Sequence, residues 1–193
     1  MRIIQTEYKG YRFRSRLEAR WAVFLDELDI EWEYEKEGFR LDNGKYYLPD
    51  FWVPCPRYHD SSSGYWLEIK GPVPTEDERK KCLYLAKETG HIALLLYGSP
   101  TNKFFHKYTY QPLRVNGVVV DAKEHHSKEI SPEIEAFLEL IGNDPSEQPF
   151  FAHFEIATRF WFGQKQHDFD QTKYKNAIKA ARGARFEYGE KGA

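Results

Sequence analysis

Cysteine is almost missing from this chain: Cys55 and Cys82 are the only two among 193 residues. They lie far apart and form no Cys-x-x-Cys pair, so neither a disulfide scaffold nor a zinc framework is implied. A reduced, intracellular compartment is the natural inference. Cys55 with His59 could open a metal site, but no second pair at suitable spacing follows. Long apolar runs are missing as well. No stretch approaches the roughly 18 apolar residues of a membrane span, and no basic start leads into an apolar segment. The expectation is a soluble, cytoplasmic protein with no membrane partner. An excess of one charge is also lacking, because 28 Lys and Arg face 30 Asp and Glu for a net charge of -2. Any attraction for nucleic-acid phosphate must come from a local patch. There is no Gly-rich phosphate loop and no Gly-x-Ser-x-Gly elbow, which excludes nucleotide hydrolases and α/β esterases. The 7 histidines show no metal-ligand spacing, and His125 and His126, being adjacent, cannot point the same way on a strand.

Aromatic residues, by contrast, make up 17% of the chain. They serve a core, and they also serve surfaces that stack on bases. Tyr8 to Phe13 alternates as a short strand. Ser15-Arg16-Leu17-Glu18 opens a helix, in which Leu17, Trp21, Phe24, Leu25 and Leu28 recur at helical spacing through about residue 29. Glu31 to Glu35 and Phe39 to Leu41 read as short strands. Asn43-Gly44 marks a hairpin, since both residues tolerate positive φ, and the return strand runs from Tyr46 to Val53. A polar loop leads to a strand over Tyr65 to Lys70, stopped by Gly71-Pro72. Thr75-x-x-Glu78 is a capping box for a helix ending near Thr89-Gly90. His91 to Tyr97 is an apolar run suited to a central strand covered on both faces. Val115 to Val120 suggests a further strand or hairpin arm. The fold class expected is α/β, a central mixed β-sheet flanked by helices. Residues 1–125 form the core, and residues 126–193 form a helical C-terminal extension packed on or beside it. In that extension Ser131-Pro132 starts a helix through Leu140, residues 142–149 read as a linker, Phe150 to Phe162 is aromatic and helical, and Asp168 to Glu187 is a basic helix.

Hydrolysis of a phosphodiester near neutral pH needs an activated water and stabilisation of charge on the phosphate. Carboxylates holding magnesium supply both, and a nearby lysine orients the water or offsets the growing charge. The sequence brings such groups together. Asp50 follows Pro49 in the returning strand of the hairpin. Glu68 and Lys70 are two apart on the next strand and emerge on one face, while Ile69 points to the core. If the two strands pair, Asp50 and Glu68 come within reach of one ion.

Leu48-Pro49-Asp50-Phe51 followed by Trp66-Leu67-Glu68-Ile69-Lys70-Gly71 resembles the PD-(D/E)XK nuclease superfamily. The helix Ser15-Arg16-Leu17-Glu18-Ala19-Arg20 also resembles the family's, where a helical glutamate completes the metal site. The resemblance covers roughly residues 8–98 in the family's helix–hairpin–strand–helix–strand order. It implies a restriction-endonuclease-like core and a Mg2+- or Mn2+-dependent DNA endonuclease. Asp50, Glu68, Lys70 and Glu18 would be its catalytic residues, and Asp50, Glu68, Ile69 and Glu18 its metal-binding positions. DNA is the implied partner, with a homodimer or a larger nuclease complex as the assembly. The compact layout looks most like phage resolvase or transposon-nuclease members, which would place the protein in a bacterial or phage-infected cell.

Each residue also has a plainer explanation. Glu68/Lys70 could be a charged strand edge, like the same spacing at Glu7/Lys9, Glu78/Lys80 and Asp121/Lys123, which read as ordinary surface. Glu18 could serve only a capping box with Ser15, bonding back to the Ser15 N–H. Arg12, Arg14, Arg16 and Arg20 form a basic cluster around the first helix. They are either a solvated face or DNA-binding residues whose guanidinium forks fit phosphate beside the metal. Alternation would set Arg12 and Arg14 on one side of a strand. Lys173, Lys175, Lys179, Arg182 and Arg185 are a weaker set of the same kind. Two rival functions stand beside hydrolysis: a catalytically silent nucleic-acid-binding or assembly module on the same fold, and a nuclease subunit active only inside a larger complex, docked through Phe150, Phe151, Phe154, Phe160 and Trp161.

Overall fold

The structure, a computed structural model, describes residues 6–54, 64–100, 106–126, 171–184 and 186. In chain order its elements are β1 (Thr6–Tyr8), β2 (Tyr11–Phe13), α1 (Arg16–Glu27), β3 (Glu33–Tyr34), β4 (Phe39–Arg40), β5 (Tyr46–Tyr47), β6 (Phe51–Pro54), β7 (Gly64–Lys70), α2 (Glu76–Thr89), β8 (Ile92–Tyr97), β9 (His106–Val115), β10 (Val118–His126) and α3 (Gln171–Gly183). The expected helix over residues 131–140, the linker 142–149 and the aromatic segment 150–162 lie outside the described residues, as do Cys55 and His59.

The main sheet is six-stranded, in the order β10-β9-β8-β7-β6-β3. Only β7 and β8 pair in parallel; every other neighbouring pair is antiparallel. The α/β class with a mixed sheet expected from the sequence is therefore present. A parallel pair needs a crossover longer than a turn, and α2 supplies it between β7 and β8.

The pleat of β7 divides the core. Tyr65, Leu67 and Ile69 join Phe13, Trp21, Phe24, Leu25 and Phe51 on the face covered by α1. Trp66 packs on the other face with Cys82, Leu85 and Ala86 of α2. Leu94 and Leu96 of β8 belong to the first cluster, and Ala93 and Leu95 to the second. This explains the unbroken apolar run: both faces of the strand are buried. The C-terminal helix α3 closes the first face with Ala177, Ala181 and the following Phe186. Lys173 of α3 pairs with Asp29 at the end of α1.

Local chemistry accounts for the helix ends. At α2 the full capping box is formed by Thr75 and Glu78, and Gly90 ends the helix in the left-handed region at φ 68°, a conformation that costs glycine little.

Three strand expectations need correction. The segment from Tyr8 to Phe13 belongs to a small hairpin, β1 paired with β2, because Lys9 and Gly10 both take positive φ and reverse the chain. Of Asn43 and Gly44, only Gly44 has positive φ (77°). The Asn43 side chain instead accepts the Lys45 N–H at 3.0 Å, and Leu41 and Lys45 close a three-residue loop rather than a two-residue turn. The return strand from Tyr46 to Val53 is split. β5 pairs with β4 in a separate two-stranded ribbon, whereas β6 enters the main sheet. Pro49, with no N–H to give a ladder, lies in the break.

Candidate active site

That break positions Asp50. It is not inside a strand, as its sequence context suggested, but immediately before β6. The β6–β7 ladder ends at Phe51 opposite Leu67; continuing the register would set Pro49 opposite Ile69. Instead the Asp50 carboxylate turns into this place, and its Oδ2 accepts the Ile69 N–H at 2.7 Å. The Asp50 carbonyl accepts the Glu35 N–H at 2.9 Å. Asp50 is thereby fixed by main-chain partners on two sides and is only 2% exposed.

Glu68 and Lys70 rise from β7 on the α2 face, with Ile69 directed into the opposite core as alternation requires. Lys70 Nζ donates to Glu68 Oε1 at 2.6 Å. It also lies 3.8 Å from Glu78 Oε1. Glu78 is therefore not ordinary surface: its Oε2 accepts the Thr75 N–H at 2.8 Å in the capping box, and its other oxygen faces the lysine. Lys80, two residues on, pairs with Glu76. The second Glu68 oxygen, Oε2, is buried and has no well-formed hydrogen-bond partner among the described residues, with the Tyr47 hydroxyl its nearby polar neighbour. Below it Tyr47 and Cys82 meet, hydroxyl to thiol, at 3.5 Å.

Glu18 comes from the opposite side. Ser15 caps α1 by accepting the Glu18 N–H at 3.1 Å, but the reciprocal half of a capping box is not the contact that Glu18 makes. Its carboxylate turns inward, where Oε1 accepts the Ser15 hydroxyl and Oε2 the Tyr34 hydroxyl, both at 2.6 Å. The Tyr34 oxygen in turn accepts the Arg14 N–H at 3.0 Å. The Arg14 side chain then crosses to Asp50, donating from Nη2 to Oδ1 at 2.7 Å. Its Nε is 2.6 Å from Glu35 Oε1. That contact is an ion pair only, because Oε1 receives no aligned hydrogen bond. Glu35 has positive φ (46°), an uncommon backbone for a residue with a Cβ.

Three buried carboxylates, Glu18, Asp50 and Glu68, thus share one region with two cationic side chains. Burial pushes the Asp50 carboxyl well above the usual carboxylate range, and the charges of Glu68 and Glu18 push it the same way; the Ile69 N–H and Arg14 oppose them. Burial works against the Lys70 ammonium, yet its contact with Glu68 and the nearby charges of Asp50 and Glu78 hold it above the ordinary lysine value. For Tyr34, burial and the bond to Glu18 keep the hydroxyl protonated far into the alkaline range. The hydroxyl is therefore a donor at any working pH.

Among the described residues, no three His, Cys, Asp or Glu side chains are arranged to hold a metal ion by themselves. A closed protein cage is not what magnesium requires, since it commonly takes one or two carboxylates and completes its shell with water and substrate phosphate. Asp50 and Glu68 are the hard oxygen donors for that demand: Glu68 Oε2 has no hydrogen-bond partner among the described residues, while both Asp50 oxygens are engaged, by Arg14 and by the Ile69 N–H. Ile69, expected among the metal-binding positions, instead buries its side chain in the core and acts on the site through its N–H, which orients Asp50 and cannot itself ligate a cation. Glu18 is held by two hydroxyls, and its charge reaches Asp50.

The arginines separate. Arg12 sits opposite Glu7 in the β1–β2 ladder and pairs with it at 3.4 Å, whereas Arg14 lies past the end of β2 and reaches Asp50. Arg16 and Arg20, one turn apart on α1, share the helix face turned away from Glu18, and both are half-buried. Sequence reasoning missed Tyr34, Glu35 and Glu78. A buried tyrosine needs a hydroxyl partner, which was the one available hint for Tyr34. No signal pointed to Glu35. No helix among the described residues is long and apolar enough to cross a membrane. The chain matches no protein-family model, and no curated protein shows significant similarity to it.

Proposed function

We propose that this chain is a divalent-metal-dependent DNA endonuclease with a restriction-endonuclease-like core of the PD-(D/E)XK type. The observation that carries the reading is the junction where β6 begins and β7 ends. There a carboxylate seated on the Ile69 N–H stands beside a buried glutamate with one unpartnered oxygen, and a lysine is attached to that glutamate's other oxygen. Buried acid groups that repel one another and lift the Asp50 pKa are a costly arrangement for a fold, and perturbed groups of this kind concentrate at functional sites.

Asp50 and Glu68 would hold Mg2+ or Mn2+, which when bound supplies Lewis-acid stabilisation of the phosphate and lowers the pKa of water. Lys70, anchored between Glu68 and Glu78, directs its ammonium to the attacking water or the developing phosphate charge. Ile69 keeps the Asp50 carboxylate from rotating. Glu18 adds negative charge that reaches Asp50 and is held by Ser15 and Tyr34.

The test is cleavage of plasmid, junction and single-stranded DNA in magnesium, manganese and chelator. Wild-type protein should cut only with the metal. Asp50→Ala should lose at least about a hundredfold of the rate, more than supporting groups around a metal typically cost, while keeping its circular dichroism spectrum. Undiminished cleavage by folded Asp50→Ala would remove the assignment.

A further inference from the structure

Arg14 makes two different contacts. Its Nη2 donates a well-formed bond to Asp50 Oδ1 at 2.7 Å, but its Nε touches Glu35 as an ion pair without an aligned hydrogen bond. The side chain is 53% exposed whereas that of Asp50 is 4% exposed, so the guanidinium reaches in from solvent and can withdraw to it. Of the two Asp50 oxygens, Oδ2 is committed to the Ile69 N–H. The other, Oδ1, is the one Arg14 holds. Glu68 differs, because Lys70 occupies only Oε1 and leaves Oε2 unpartnered. Glu68 thus keeps one oxygen that no cation holds, whereas the free oxygen of Asp50 is already neutralised by an arginine.

We propose that Arg14 is a displaceable counter-ion of Asp50: a divalent cation takes its place at Oδ1, and the freed guanidinium then binds a phosphate of the substrate strand. The proposal rests on the metal-site reading above. Two cations on one carboxylate oxygen repel each other in a poorly solvated site, so the exchange is favoured over sharing. Glu35 keeps the arginine nearby after it lets go. Its own backbone is tied to Asp50 through the Glu35 N–H, which places the parking carboxylate next to the metal ligand. The planar fork of arginine suits phosphate as well as carboxylate, so the same group neutralises the empty site and recognises DNA in the loaded one.

The variant Arg14→Gln should change the two affinities in opposite directions. By titration calorimetry with manganese and no DNA, at mildly alkaline pH so that protons do not replace the arginine, its Kd should fall roughly ten- to hundredfold, the range of a lost charge-assisted competitor. Its affinity for duplex DNA in calcium should weaken, with the salt slope smaller by about one. Arg12→Gln removes an equal charge from an exposed residue paired with Glu7 and should leave manganese affinity unchanged. Arg14 lies largely in solvent, and a thermal melt verifies that the variant is folded. Manganese binding by Arg14→Gln that is equal to or weaker than wild type overturns the counter-ion role. If wild type nevertheless binds manganese in an Asp50-dependent manner, the metal-site reading survives that result. Binding of manganese by neither wild type nor Arg14→Gln overturns both.

Discussion

Removing one oxygen atom from Tyr34 tests how the back of the acid cluster is held. Tyr34→Phe keeps the ring, which packs against Phe13 and Phe51 at centroid distances of 4.4 and 5.5 Å, so no cavity cost enters. What disappears is the donor to Glu18 Oε2 at 2.6 Å and the acceptor for the Arg14 N–H at 3.0 Å. A hydrogen bond to a charged group contributes about 1.5–3 kcal/mol and a neutral one about 0.5–1.5 kcal/mol. Residue 14 is near the surface, where water can replace the lost acceptor. Glu18 is 7% exposed, and its Oε2 keeps no substitute. The expected destabilisation is therefore dominated by the first bond, about 2–3 kcal/mol. For a chain of this size each kcal/mol shifts Tm by roughly 2–4 °C, so melting followed by tryptophan fluorescence should fall by roughly 4–12 °C. A double-mutant cycle with Glu18→Gln isolates the pair and should give a coupling of about 1 kcal/mol or more. A Tm unchanged within error, or independent effects of the two substitutions, would refute the idea that Tyr34 holds Glu18 in place.

The remaining predictions concern protonation and access. In chelator, Asp50 has a folded-state pKa raised above its unfolded value. Its contribution is thus fully favourable below the unfolded carboxylate pKa of about 3.9 and is lost as pH rises through the raised folded value. Denaturant unfolding of the metal-free protein should show stability declining across that interval, a decline that Asp50→Asn flattens and added manganese offsets; an identical pH profile in wild type and Asp50→Asn would contradict it. Cys82 is 0% exposed, and burial, then the charge of Glu68, pushes its thiol far above the ordinary value. In a Cys55→Ser background a thiol-reactive disulfide reagent at mildly alkaline pH should label Cys82 only after denaturant is added, and rapid labelling of the folded protein would show that the floor beneath Glu68 is open.

How much could be read from the sequence depended on whether the deciding interaction was local. The helices were legible because their ends are set by neighbours: Ser15 caps α1, Thr75 and Glu78 cap α2, and Gly90 takes the left-handed turn that ends it. The central strand β8 was legible because an apolar run with no polar face has few other places to go. The last hairpin was read only as a strand or arm over Val115 to Val120, a span that instead contains the turn between β9 and β10. The turn residues, Asn116-Gly117, are the same dipeptide as Asn43-Gly44 and were passed over, yet here both take positive φ, 50° and 81°, as a two-residue turn requires. What separates the two sites is the flanking ladder, long in β9–β10 and only two pairs in β4–β5. The strand β9 itself was hidden by Pro112, which ordinarily argues against a sheet interior. Its position resolves the conflict. β8 pairs with β9 only as far as Tyr110, so Pro112 lies where β9 has a partner on one side alone.

The same distinction applies to the candidate site. Alternation along β7 was enough to set Glu68 and Lys70 on one face and Ile69 on the other, since that depends on a single strand. Asp50 was placed in the right neighbourhood for an incomplete reason. Counting it as a strand residue would let its side chain alternate with Phe51, and nothing in that geometry would seat it on the Ile69 N–H. The proline before it ends the ladder one pair early and leaves a main-chain donor with no strand opposite. The carboxylate satisfies that donor, because a buried N–H without an acceptor is costly. A break in backbone pairing has thus been converted into a fixed orientation for an acid group. Glu18 and Arg14 reach the same place from α1 and the end of β2, through Tyr34 and Glu35, residues whose roles exist only after the sheet has formed. Substituting Pro49 with a residue that can donate would therefore disturb Asp50 without touching any acidic side chain, since its effect runs through the register between β6 and β7.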